Sequence, residues 1–149
     1  MMAESTTATV PADIEEGGRM SEDIKEKTRR VASLYFEGWE EERPFDLWRS
    51  FDPEFGRTLS VFVTGQMYGR ERIPHPMRQL VTVAALTVLD RPEELRMHIH
   101  AALNVGCTPQ EIAEVIFQMA TYGGVPVTNI ALKVLRRVLE ERVKALGKD

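Results

Sequence analysis

Residues 94–126 read ELRMHIHAALNVGCTPQEIAEVIFQMATYGGVP, and the punctuation of this stretch decides the fold. Leu95, Ile99, Ala102 and Leu103 recur at helical spacing, and Gly106 stands where a left-handed residue closes a helix. Thr108-Pro109-Gln110-Glu111 then combines a capping box with proline at the first helical position. Ile112, Val115, Ile116 and Met119 carry the inner face of this second helix, and Tyr122-Gly123-Gly124 stops it. The pattern predicts two amphipathic helices joined by a short turn, hence antiparallel neighbours.

The same signals recur on either side. Downstream, Pro126 opens a last helix through Leu132, Leu135, Val138 and Leu139 to a charged terminus. Upstream, Pro92-Glu93-Glu94 starts the helix that carries His98. Before it, from His75-Pro76, the run MRQLVTVAALTVL (77–89) is apolar nearly all round, which predicts a central, buried helix. Asp52-Pro53-Glu54 supplies a capping side chain, a first-turn proline and an acid. The helix it starts runs along Phe55, Leu59, Phe62 and Val63 to about Tyr68, where Gly69 breaks it. Ser21 is placed to cap a first helix with Glu22 and Asp23 in its opening turn and Ile24, Val31, Leu34 and Tyr35 inward. Gly38 and Pro44 punctuate its end. Trp39, Phe45, Trp48 and Phe51 crowd the next segment and must be buried, in a core or subunit interface or as an aromatic wall of a pocket. Residues 1–20 contain no aromatic side chain and predict a flexible tail. The expectation is an all-α, single-domain bundle of about six to seven helices over residues 21–149, without strands.

Composition narrows the function. The 149 residues carry a net charge of −4, which argues against nucleic acid or an anionic membrane surface as partner, since phosphate binding needs a basic footprint. A single cysteine, Cys107, excludes an intramolecular disulfide and a cysteine-cluster metal site. It fits a reducing, cytoplasmic setting. No secretory apolar segment opens the chain, and no run reaches membrane-spanning length.

Two residue types in the deciding stretch can carry chemistry. Glu94 and His98 are four residues apart, so their side chains lie one helical turn from each other. A carboxylate in that position orients an imidazole and raises its pKa, making it a proton donor near neutral pH. The same spacing also fits a surface i,i+4 pair worth only tenths of a kcal/mol, ~0.2–0.5. His100 points to another face. No motif of metal-ligand spacing is present, although His75, His98 and Glu94 are conceivable neighbours. Arg78, in the first turn of the apolar helix, must find an acid or a ligand carboxylate.

Taken together, Arg78 with QLVTVAALTVL, EELRMHIHAALNVGCTPQEIAEVIFQ and MATYGGVPVTNIALKVLRRVLEE resemble the carboxymuconolactone decarboxylase family, over roughly residues 52–142. The resemblance implies an alkylhydroperoxidase-like helical fold for residues 21–149. It also implies self-association, as a trimer or hexamer, and decarboxylation of a small carboxylated lactone without a cofactor or metal. Related alkylhydroperoxidases use a CxxC pair four residues before a histidine. With that histidine on His98, the cysteine positions hold Arg91 and Glu94, so the peroxidase chemistry is missing. The implied roles are His98, oriented by Glu94, as donor or acid; Arg78 as carboxylate holder; and Tyr122 and His75 as pocket residues. Two alternatives stay open: a non-catalytic homo-oligomeric small-molecule binder, and a peroxidase-like antioxidant protein working through Cys107.

Overall fold

The structure, a computed structural model, describes residues 22–147. The expectations for Ser21 and for the tail over 1–20 lie outside the described residues. Seven α-helices follow in chain order: α1 (Ile24–Phe36), α2 (Pro44–Phe51), α3 (Pro53–Ser60), α4 (His75–Val88), α5 (Pro92–Asn104), α6 (Pro109–Gly123) and α7 (Val125–Leu146). A π-helical segment, Val61–Tyr68, continues directly from α3. Among the described residues there is no strand, so the all-α bundle is observed.

The capping chemistry is as the sequence demands. Thr108 and Glu111 exchange side-chain-to-backbone bonds at 3.1 and 2.7 Å, closing the capping box of α6. Asp52 accepts from the amides of Glu54 and Phe55 at 3.0 and 2.9 Å at the start of α3. Gly106 takes φ +98°, a conformation that disfavours a Cβ, and turns the chain from α5 into α6.

Helices α4 to α7 enclose the main core, in which Val83, Leu95, Ile99, Ile112, Ile116 and Val138 are essentially solvent-free. Each such side chain stabilises the fold by about 1.5–3 kcal/mol relative to exposure. A smaller cluster, Val31, Tyr35 and Ala101, fastens α1 to α5. The π-helical segment lies along α1 so closely that a methyl group on Gly65 would run into Thr28 Oγ1.

Three expectations change. Pro44 does not merely end the first helix; it occupies the first turn of α2, a helix that the sequence reading left out. The aromatic residues are not all buried: Phe51 is 85% exposed and Trp48 44%. Helix α4 is not buried all round either. Gln79, Val83 and Thr87 point inward, whereas Met77, Val81 and Val88 face solvent in the single chain. Phe117 and Tyr122 of the neighbouring α6 are exposed as well.

Candidate active site

Helix α5 places His98 against a cavity of about 270 Å³, near the lower bound for small-molecule sites. The walls come from four directions: Tyr35 and Phe36 of α1; Pro44 and Phe45 of α2; Val63, Thr64 and Tyr68 of the π-helical segment; and Thr82 and Leu86 of α4. Glu94, Met97 and His98 of α5 complete them. The wider π turn puts Val63, Thr64 and Tyr68 on a common wall, and Gly69 N–H donates to the Thr64 carbonyl at 2.9 Å in that register. The lining is mostly apolar, and Glu94 is its one charged side chain.

The polar groups around His98 form a connected set. His98 Nδ1 lies 3.0 Å from Gln79 Oε1, and its ring stacks over Tyr68 with centroids 6.1 Å apart. The Tyr68 hydroxyl meets Thr82 Oγ1 at 3.2 Å. On the far side of Gln79, the Tyr35 hydroxyl is 2.6 Å from His75 Nδ1. Gln79 is completely buried, yet its Nε2 has no hydrogen-bond partner among the described residues, and neither does His75 Nε2.

Burial sets the electrostatics. The enclosure of His98 pulls its pKa from the ordinary 6.5 down to about 4, and the Glu94 carboxylate opposes this only in part. Glu94 does act to raise the His98 pKa, as expected, but burial outweighs it, so the expectation of a proton donor near neutral pH is corrected. Glu94 is exposed at the cavity edge, and the residue bonded to the ring is Gln79. His98 is a neutral imidazole at pH 7. Burial likewise lowers the His75 pKa and pushes Tyr35 up to about 12, with Gln79 and the positive charge of Arg78 working against the latter shift.

The other expected site residues are distributed differently. His75 adjoins the cavity through Tyr35. Arg78 is not on the cavity wall: its guanidinium donates to the Arg70 carbonyl at 2.5 Å, and its Nε is buried without a partner among the described residues. Tyr122 is 71% exposed at the end of α6, also away from the wall. Cys107 is buried beside the Pro76 carbonyl, its pKa raised chiefly by burial, and it does not reach the cavity. Both circumstances disfavour thiolate chemistry. Gln79 is the site residue missed in the sequence. Its signal was a polar side chain in register with Val83 and Thr87, four and eight residues on, along the buried stripe of an apolar helix.

The sequence profile of the Carboxymuconolactone decarboxylase family matches residues 53–137, a span that includes the π-helical segment, α4, α5 and α6. The chain belongs to the carboxymuconolactone decarboxylase family. It is 36% identical over 91 residues to a 4-carboxymuconolactone decarboxylase of Acinetobacter baylyi, covering 61% of this chain and 68% of that protein. It is 41% identical over 80 residues to an uncharacterised 15.0 kDa protein from the nqo9-nqo10 intergenic region of Paracoccus denitrificans, covering 52% of this chain and 59% of that protein.

Proposed function

We propose that this protein is a cofactor-free decarboxylase for a small carboxylated lactone such as 4-carboxymuconolactone, and that the cavity beside His98 is its active site. The observation that carries the reading is a neutral histidine set into an apolar cavity of small-molecule size, within the segment shared with the decarboxylase family.

The chemistry follows from the surroundings. In such a substrate the carboxylate-bearing carbon is conjugated through a double bond to the lactone carbonyl. Breaking the bond to the carboxylate releases CO2 and leaves its electron pair delocalised onto the carbonyl oxygen as a dienolate. Protonation on carbon then completes the reaction. Apolar walls without a cation offer the departing carboxylate no compensation for lost water, whereas neutral CO2 needs none. The developing oxyanion requires a hydrogen-bond donor, and an imidazole N–H supplies one while uncharged. With a pKa near 4, His98 is suited to that donor role and not to service as a cationic acid at neutral pH. Glu94 at the exposed edge stands where water enters and can relay the proton that carbon takes up.

Self-association is part of the proposal. Met77 and Val81 of α4 with Phe117 and Tyr122 of α6 leave a broad apolar surface on the single chain of the kind that marks interaction sites. A second copy covering it would bury Tyr122, and Arg78 or Tyr122 would then contribute to a site only through that interface. Light scattering on a sizing column is expected to give a trimer or hexamer; a monomer removes this element. Incubation of the purified protein with 4-carboxymuconolactone is expected to release CO2 as the ultraviolet absorbance of the lactone is lost. Binding without turnover favours the non-catalytic reading.

A further inference from the structure

We infer that Gln79 is a positioning residue that holds His98 in the tautomer with its proton on Nε2, so that the ring presents a donor to the cavity. The inference rests on the proposed active site for its functional consequence but not for its geometry.

His98 Nδ1 is 3.0 Å from the amide of Gln79, a side chain of α4 that is completely buried against α5. The amide can point in either of two directions, because it fills the same space after half a turn about its last bond. With Oε1 towards His98, the imidazole must carry its proton on Nδ1, and its Nε2 is a bare lone pair. That arrangement leaves the Gln79 amide nitrogen buried without a hydrogen-bonded acceptor among the described residues.

The opposite direction gives the amide nitrogen a partner: Gln79 Nε2–H donates to His98 Nδ1, and Oε1 is left as an empty acceptor. A buried acceptor lone pair left empty is tolerated better than a buried N–H left unpaired. His98 is left with its proton on Nε2, the nitrogen that makes no hydrogen bond within the described residues. His98 lines the cavity, so this is the nitrogen available to a bound lactone. A neutral Nε2–H there stabilises a dienolate oxygen without any change in protonation. Gln79, which donates to the ring, is required for that outcome; an ionised carboxylate in its place would accept from Nδ1–H and turn the proton round.

Long-range nitrogen–proton NMR of the histidine rings at pH 7 tests this directly, with His98→Gln providing the assignment. The expected wild-type spectrum shows His98 as the Nε2–H tautomer, and Gln79→Glu converts it to Nδ1–H. In the same variant kcat for 4-carboxymuconolactone is expected to fall by about a hundredfold with KM changed by less than about threefold. Gln79→Met leaves Nδ1 without its donor and is expected to give a mixture of the two tautomers, which keeps the test available should Gln79→Glu fold poorly. A wild-type His98 protonated on Nδ1 overturns the inference whatever the activity, and so does an unchanged Nε2–H tautomer in both Gln79→Glu and Gln79→Met. Absence of turnover in the wild type with the Nε2–H tautomer present would instead overturn the proposed substrate and leave the positioning role standing.

Discussion

Helix α5 carries two histidines two residues apart, and they do opposite things. His98 faces the cavity, touches Gln79 through Nδ1 and keeps Nε2 clear of protein partners. His100 faces the other way, where its Nε2–H donates to the Glu37 carbonyl at 2.8 Å, beside the ring of Trp39. Asn104 donates to the same carbonyl and accepts from Arg142 at 3.0 Å. One turn earlier on this face, Arg96 bridges Glu41 at 2.7 Å and Glu141 at 3.0 Å and lies 4.9 Å over the Trp39 ring. Thus the Arg96 face ties the end of α1 and the loop after it to α5 and α7, with Arg96 paired to two carboxylates. The cavity face holds a neutral ring among apolar side chains with hydrogen-bonding capacity to spare. The difference teaches that a half-turn of one helix separates residues that hold the fold from residues that are free to act.

Substitution at the two histidines should break the symmetry most visibly. His98→Ala is expected to lower kcat for 4-carboxymuconolactone by ~100- to 1000-fold, the usual cost of losing an oxyanion donor. His100→Ala should leave kcat within about threefold while lowering stability by ~0.5–1.5 kcal/mol, the net worth of a hydrogen bond. Steady-state CO2 release and urea unfolding measure the two effects side by side.

On the structural face, Arg96→Ala removes three charge-assisted hydrogen bonds to two carboxylates and the packing over Trp39. A loss of ~1–3 kcal/mol is expected from urea midpoints, with little change in kcat, because both acids it leaves behind reach solvent. On the cavity side, Gly65→Ala pushes a methyl group into Thr28 and should cost ~1–3 kcal/mol by forcing the π-helical segment away from α1. Because that segment supplies a cavity wall, KM should rise in this variant but not in Arg96→Ala.

The pH dependence of stability separates the faces more finely. Above pH 6.5 His98 is neutral in both folded and unfolded chains. As pH falls from 6.5 towards about 4 the unfolded chain takes up the proton first, so stability is lost across that window. His98→Gln should flatten the slope of unfolding free energy against pH by roughly 1–3 kcal/mol over the window. His75 and His100, whose pKa values are also lowered by burial, act in the same direction and account for a remaining slope.

The sequence made the frame legible because helix ends are local. The capping residues Asp52, Thr108 and Glu111 and the turn at Gly106 all depend on neighbours within a few positions, and all stand where their types demand. Helix α2 escaped because a proline reads equally as the end of one helix and the first turn of the next. The π register escaped because it depends on the close approach of Gly65 to α1, a tertiary contact without a local signature. At the site, the spacing of Glu94 and His98 put both on one helical face, and both line one cavity. It could not show that burial would outweigh the carboxylate, or that Gln79, 19 residues earlier, would be the ring's partner. Arg78 and Tyr122 were marked by residue type, and neither type nor position fixes where a long side chain ends.

The central claim is that the cavity beside His98 receives a small carboxylated lactone. Titrating the reaction product, the decarboxylated lactone, into isotope-labelled protein while following the three histidine ring signals tests it most directly. The account predicts saturable shifts at His98 with His100 unmoved. Shifts confined to His100, or binding that leaves His98 unmoved, would contradict it.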